Sequence, residues 1–446
     1  MRGFRFSKEP NKLRIEGMDD SNPSIQQLIA LARAAAAEAA SFQERFAAED
    51  VEARKIVNIM ERFLREKGRV VYGGAAINAH MPPAKKFYDP TLNLPDYDFM
   101  TPDPLQDCAD LIESFQDEGF IDVEAKFGIH EGTYKVFVNY RAAADITFMP
   151  PLIYRRILGD SALIDGIQYA SVNYLRMNMY LELSRPAGMV SRWEKVYSRL
   201  LLLNEEFPLV GVCKGDKDPL TRLRNSMKSR GRATQRAIVD LGIDHQAVFL
   251  SGAGYLKEGD EPVYDKVILL MSSNPTSLLV ALTEAIKSTT LTGFPAMGEL
   301  LPARTEVKVK GALVAVVFET VACHSYTTLS EPAGYRLGSL DLLIQMYYAI
   351  YFAEAGDYLP IRILCLVQAL IDLEASRRAA AVKGEIPMAE AFPMECIGHQ
   401  PTMPELKKAH RERVAERQAA LLHALRIHES FVGRPRRGKL VKHHKN

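Results

Sequence analysis

A chain of 446 residues, 47% of them apolar, is long enough for two or three domains with well-buried cores, which excludes a disordered or fibrous protein. With no apolar run near the roughly 18 residues of a membrane span, and with Met1-Arg2-Gly3-Phe4 not opening a secretory signal, a soluble intracellular protein is expected. The net charge of +1 hides an asymmetry: residues 401–446 hold 12 Lys/Arg against 4 Asp/Glu, leaving a mildly acidic body of 44 against 51.

Taken along the chain, residues 24–67 place Leu, Ile and Phe at helical spacing among Ala, Glu, Gln and Arg, which predicts one or two amphipathic helices closing at Gly68. Arg69 to Tyr72 reads as a strand that runs into Gly73 and Gly74. Met81-Pro82-Pro83 and Phe87-Tyr88-Asp89-Pro90 form an inserted loop before a second strand at Asp96-Tyr97-Asp98-Phe99. A helix follows over Asp103–Gly119, then an antiparallel pair at Thr133–Tyr140 and Ala143–Phe148, the latter holding Asp145. Ser171–Arg185 is expected to be helical up to Pro186, and Ser191-Arg192-Trp193-Glu194 has capping-box spacing.

The second half repeats the first in pattern. Ala247–Ala253 resembles Arg69–Ala75, and Val267–Pro275 resembles Asp96–Pro104, which sets Val267 and Leu269 where Asp96 and Asp98 stand. Leu313–Glu319 then answers the strand of Asp145. Helices are predicted around 336–355 and 359–382, with a last polar helix from Pro404 to about Phe431 and a basic, disordered arm after it. The five cysteines, Cys108, Cys213, Cys323, Cys365 and Cys396, make no CxxC pair, which speaks against zinc, against a disulfide framework and for a reducing compartment.

In a strand successive side chains alternate faces, so Asp96 and Asp98 project to one side while Tyr97 and Phe99 turn inward. Asp145, between Ala144 and Ile146, fits a neighbouring strand. Three carboxylates gathered on one sheet repel one another, and divalent cations that take oxygen ligands are the usual remedy, so Asp96, Asp98 and Asp145 are expected to hold two Mg²⁺ or Mn²⁺ ions. Gly73 and Gly74, lacking a Cβ, let backbone N–H groups approach a triphosphate. A Gly pair after a strand is commonly only a turn, and a D-x-D recurs on many solvated edges; the ordered set is what points to nucleotidyl transfer. A basic run of Arg222, Arg224, Lys228, Arg230, Arg232 and Arg236 is either a solvated linker or a contact to an RNA backbone.

Tyr72-Gly73-Gly74-Ala75-Ala76-Ile77-Asn78, Phe87-Tyr88-Asp89, Leu94–Phe99, Tyr169–Met177 running into Leu183-Ser184-Arg185-Pro186, and Ser191–Lys195 together resemble the poly(A) polymerase catalytic subunits of large cytoplasmic DNA viruses. The likeness is to the giant-virus (mimivirus) type and, more remotely, to the poxvirus type; it is motif-dense over residues 65–205 and thin beyond. It implies an α+β fold: a nucleotidyltransferase (polymerase beta-like) mixed sheet with flanking helices, then a second, degenerate nucleotidyltransferase-like domain and a helical C-terminal segment. The expected division is 1–68 helical, 69–220 catalytic, 221–240 basic connector, 241–400 degenerate domain and 401–446 basic helix and tail. The resemblance implies template-independent addition of AMP from ATP to RNA 3′ ends; Gly73, Gly74, Ser171, Asn173, Tyr174 and Lys195 are the candidate nucleotide contacts on the residues themselves, with a core stripe through Tyr174 and Met177 as the competing reading. The resemblance also implies a homodimer and a place in the host cytoplasm, at the viral factory, and in the virion. A CCA-adding or oligoadenylate-type transferase, or a non-catalytic RNA-binding scaffold, is the alternative.

Overall fold

A computed structural model describes residues 24–88, 95, 97–209, 232–251, 255, 267–298, 300–329, 333–355, 358 and 363–432, with the backbone alone for 44–48, 232 and 420–432. They divide into two units, one of residues 24–57 with 88 and 95, the other holding the rest. In the first, helix α1 (Ile25–Glu49) opens on a capping box. The Ser24 N–H donates to Gln27 Oε1 at 2.7 Å and the Gln27 N–H to Ser24 Oγ at 3.2 Å. Asp50 Oδ1 then accepts the N–H groups of Glu52 and Ala53 at the start of α2 (Val51–Lys67).

In the second unit β1 (Val70–Tyr72) runs into α3 (Gly73–His80), and β2 (Tyr97–Thr101) into α4 (Pro104–Asp117). There follow β3 (Val123–Phe127), β4 (Thr133–Val138), β5 (Arg141–Phe148), α5 (Pro151–Asp160), β6 (Ala162–Ile164), β7 (Ile167–Tyr169), α6 (Val172–Leu183) and α7 (Trp193–Glu206). The strands form a mixed sheet in the order β3-β4-β5-β2-β1-β7-β6. Within it β2 with β5 and β1 with β7 are parallel. Alternation along β2 decides its facing: Tyr97 and Phe99 are 4% and 0% exposed, and Phe99 meets Phe63 of α2 at 5.9 Å between ring centroids.

The second half comprises α8 (Arg232–Asp244), β8 (Val248–Phe249), β9 (Ile268–Ser272), α9 (Pro275–Ala285), β10 (Thr289–Phe294), β11 (Arg304–Val309), β12 (Ala312–Glu319), β13 (His324–Thr328) and β14 (Arg336–Gly338). It continues with α10 (Leu340–Phe352), α11 (Ile363–Val382), α12 (Met388–Ala391), β15 (Cys396–Ile397) and α13 (Met403–Val432). Its sheet, β10-β11-β12-β9-β8-β14-β13-β15, repeats the first strand for strand and adds β15. The match extends to single residues. Val248 faces Met271 as Val70 faces Met100, and the parallel pairs recur as β9 with β12 and β8 with β14. Both sheets carry a bulge in the same place, after Val136 and after Val307. Asp103 caps α4 by accepting the Gln106 N–H at 3.3 Å, while Asn274 caps α9 by accepting that of Ser277 at 3.2 Å. The halves meet through α6 and α10, where Tyr174 stands edge-on to Phe352 at 5.5 Å.

Several expectations need correction. Cys323 and Cys396 form a disulfide with Cα atoms 5.2 Å apart, against the expectation of unpaired thiols. They are 73 residues apart in sequence, and the antiparallel pairing of β13 with β15 brings them together. Cys108 is a buried free thiol, its pKa pushed up to about 11 mainly by burial. Ser191 does not cap a helix: Val190–Arg192 is a 3-10 turn and α7 begins at Trp193. The helix expected around 336–355 begins only at Leu340, because Arg336–Gly338 pairs as strand β14. No helix among the described residues is long and apolar enough to cross a membrane.

Candidate active site

The chain leaves β1 through Gly73, whose φ of +72° suits a residue without a side chain. A Cβ there would stand 2.8 Å from Asp98 Oδ2, so the carboxylate of β2 occupies the space a side chain would need. Gly73 and Gly74 open α3, and the first N–H groups of a helix have no intrahelical acceptor and favour an anion. The far end of α3 is fixed by His80, whose Nε2 lies 2.8 Å from the Ala170 carbonyl and whose ring packs edge-on against Phe207. Burial lowers the His80 pKa, keeping the ring neutral. Asn78 Oδ1 accepts the Phe87 N–H at 2.9 Å, and Lys85 bonds Glu205 and Glu206 of α7, fastening the start of the inserted loop.

Asp98 on β2 and Asp145 on β5 are direct partners in a parallel ladder, about 4.8 Å apart along the sheet. Their side chains are half-buried between fully buried neighbours, Phe99 on one strand, Ala144 and Ile146 on the other. Tyr72 sits opposite Asp98 and its hydroxyl lies 2.8 Å from Thr147 Oγ1, which ties β1 to β5 across β2. Burial first, then the Asp98 charge, raises the Tyr72 pKa, so it remains a neutral phenol. Paired carboxylate oxygens beside a glycine-lined helix start are donors of the kind that hard divalent cations take. Asp96, the third expected ligand, lies outside the described residues, and among those residues no group of three or more His, Cys, Asp or Glu forms a complete metal site.

The residues expected to select the nucleotide belong largely to the packing between the halves. Ser171 is the N-cap of α6, accepting the Tyr174 N–H at 3.3 Å. Asn173 Oδ1 accepts from Arg176 at 3.1 Å and from the Tyr348 hydroxyl of α10 at 3.3 Å. Tyr174 is 5% exposed against Phe352. Arg176, 2% exposed, bonds Asn204 and the Leu203 and Phe207 carbonyls, locking α6 to α7. Trp193 is packed, its indole N–H on the Glu182 carbonyl and its ring stacked on Phe392.

Lys195 is exposed on the first turns of α7. With Arg192, Arg185 and Arg199 it sets the field around Glu182, whose pKa burial nonetheless raises. Of the basic run, Arg222, Arg224, Lys228 and Arg230 lie outside the described residues, and Arg232 is described only as the backbone opening α8. The C-terminal basic segment is helical in α13, which lies along the β3–β4 turn: Arg413 donates to the Ile129 carbonyl at 2.8 Å and Arg417 to the Tyr134 hydroxyl at 3.0 Å. Two groups escaped the sequence reading, Lys135, which bonds Asp145 Oδ2, and the arginines that accompany Lys195. Strand register alone reveals the first.

Residues 58–189 match the family model of the poly(A) polymerase catalytic subunit. A protein of Acanthamoeba polyphaga mimivirus named "Putative poly(A) polymerase catalytic subunit" is 32% identical over 162 residues, 35% of this chain and 27% of that protein. A protein of the same name from African swine fever virus (isolate Tick/Malawi/Lil 20-1/1983) is 26% identical over 196 residues, 43% of this chain and 38% of that one. The aligned part thus spans between about a quarter and two-fifths of these curated relatives. Among solved structures, the Megavirus polyadenylate synthase matches with a TM-score of 0.71 at 21% identity, covering 91% of this chain and 86% of that one, so the fold is shared across both halves. The resemblance carried by the motifs from Tyr72 to Lys195 stands, and it is strongest over the first sheet.

Proposed function

We propose that this chain is a poly(A) polymerase catalytic subunit that transfers AMP from ATP to the 3′-hydroxyl of RNA, releasing pyrophosphate. The observation that carries the reading is the interlock of Gly73 with Asp98, beside Asp145 and at the start of α3. It joins an anion-binding backbone to a pair of oxygen ligands in one place. Asp96, Asp98 and Asp145 would hold Mg²⁺ or Mn²⁺. When bound there, such ions would supply charge that favours ionisation of the attacking hydroxyl and stabilises the leaving oxygen. The N–H groups of Gly73 and Gly74 orient the triphosphate, and Lys195 adds phosphate charge. Ser171, Asn173 and Tyr174 act on the adenosine through the placement of α6, which their own packing fixes. Arg222, Arg224, Lys228, Arg230 and Arg232 bind the RNA backbone.

In this reading the first sheet and its helices form a nucleotidyltransferase domain of the polymerase beta type. The second sheet is its degenerate copy: Leu269 faces Val316 where Asp98 faces Asp145, so that half serves as scaffold. The protein acts as a homodimer in the host cytoplasm, at the viral factory, and is carried in the virion, as its resemblance implies.

The test is primer extension with purified protein, ATP, Mg²⁺ and an RNA primer. Wild-type protein is expected to lengthen the primer and Asp98→Ala to leave it untouched; no extension by wild type, or normal extension by the variant, overturns the reading. Competition among the four nucleoside triphosphates and an unprimed control separate polyadenylation from CCA addition and oligoadenylate synthesis.

A further inference from the structure

Strand register lays five side chains in one line across the first sheet. Lys126 of β3 faces Lys135 of β4, Lys135 faces Asp145 of β5, Asp145 faces Asp98 of β2, and Asp98 faces Tyr72 of β1. Direct partners in neighbouring strands share a face, so the line runs from the helix start that receives an anion, through the carboxylates, to two cations. With strands about 4.8 Å apart, Lys135 and Lys126 stand about 5 and 10 Å beyond Asp145. Lys135 donates to Asp145 Oδ2 and keeps 40% of its side chain exposed. Lys126 is 58% exposed, bonds Glu124 of its own strand and lies 5.2 Å from the Phe137 ring centroid.

The second sheet serves as an internal control. Its corresponding line reads Thr292, Glu306, Val316 and Leu269. Where the carboxylates are gone the lysines are gone too, and Lys135 is answered by an acid. A lysine kept only to stiffen the β3-β4-β5 ladder would be as useful in either sheet. Asp145 and Glu124 each take one bond from these lysines, and the exposure that Lys135 and Lys126 keep suits a negatively charged acceptor brought up to them.

We propose that Lys135, aided by Lys126, binds the backbone phosphates of the RNA acceptor next to its 3′ end, and that the Lys135–Asp145 ion pair holds both side chains in place until acceptor and metal arrive. The proposal rests on the polyadenylation reading for the identity of the acceptor. When Asp145 turns to a divalent cation, Lys135 loses its partner beside a site of rising positive charge. A phosphodiester entering from the β3 side supplies a new one. The acceptor thus comes in from the side opposite the triphosphate, as in-line displacement requires.

The experiment measures the affinity of the full chain for a labelled single-stranded RNA by fluorescence anisotropy in EDTA, between 50 and 200 mM KCl. Each phosphate contact to a single strand adds about 0.7 to the salt slope, so in the Asp145→Asn background, where Lys135 is released without metal, Lys135→Met is expected to lower the slope by about 0.7 and make the loss of affinity over that range about threefold smaller. Lys135→Arg should keep the wild-type slope, and Lys126→Gln should lower it by less. Asp145→Asn, which releases Lys135, should tighten RNA binding, and the gain should vanish in the Lys135→Met background, a coupling that a double-mutant cycle isolates. An Asp145→Asn variant that binds RNA no more tightly than wild type, or an Asp145→Asn gain that survives Lys135→Met, would overturn the proposal. Because RNA binding is read without metal or ATP, that result leaves the catalytic reading intact. A normally active Asp98→Ala would remove the catalytic reading without touching this one.

Discussion

The two sheets of this molecule share order, strand sense, bulges and caps, yet one face bears Asp98, Asp145 and Lys135 and its counterpart bears Leu269, Val316 and Glu306. Identical backbone demands are thus met by two kinds of sequence. What the fold needs is what both copies keep: an inward apolar face, a Pro-started helix behind a Thr or Ser, and the side-chain caps Asp103 and Asn274. What only the first copy has belongs to the proposed chemistry. Half-buried carboxylates cost stability unless they are paired or hold a cation, so the second copy is free to be the more apolar scaffold.

The sharpest way to break this contrast is to exchange the two characters. Asp98→Ala is expected to cut primer extension about a thousandfold or more, since metal-borne charge stabilisation is worth several kcal/mol, while the melting temperature stays near wild type. The reverse change, Leu269→Asp, puts a charge at a position 1% exposed and should lower stability by about 3 kcal/mol or more, read in a urea melt. A neutral Leu269→Asp would mean that the second sheet is no core at all.

Acid should expose a smaller difference. His80 has an acceptor in the Ala170 carbonyl, whereas neither ring nitrogen of buried His324 has a hydrogen-bond partner among the described residues. Burial, then the Arg185 charge, drives the His324 pKa down to about 3. A base with a lowered folded pKa binds its proton in the unfolded chain first, so its stability contribution is complete above about pH 6.5 and is lost as pH falls below that value. Denaturation measured from pH 7 to pH 4 should lose up to about 1.4 kcal/mol per unit, and His324→Leu should flatten the curve more than His80→Leu.

Gly73→Ala should cost about 1–2 kcal/mol from its left-handed backbone and reduce activity further by displacing Asp98. Ser251→Ala at the matching place, a buried hydroxyl without a left-handed backbone, should cost about 1 kcal/mol or less. Most alike, Asp103→Ala and Asn274→Ala should each cost about 1 kcal/mol; a clear inequality between them would show that the copies have drifted in packing as well as in chemistry.

Much of this was legible in the sequence because it depends on local pattern. The strands at Val70, Tyr97 and Thr133, the internal repeat and the ordering of Gly73, Gly74, Asp98 and Asp145 all follow from alternation and turn residues. The edge strands β3 and β10 were missed: Val123–Phe127 and Thr289–Phe294 are mostly exposed, so they lack the buried face that alternation reports. The β6–β7 hairpin did carry a signal, Asp165-Gly166, whose φ values of +50° and +80° suit a two-residue turn. Lys135 and the Cys323–Cys396 disulfide have no local signature, because each depends on which strands become neighbours.

The contact between the halves carries one more consequence. Helices α6 and α10 occupy the same place in their respective copies, each capped by a serine, Ser171 and Ser339, and they pack on each other. A surface that meets its own equivalent is isologous, the arrangement of a two-fold dimer. Tyr174 against Phe352 and Asn173 with Tyr348 lie in this quasi-two-fold contact. Joining two such units in one chain makes their association permanent, so that under the proposed function one of them can do without the carboxylates and the partnership is kept.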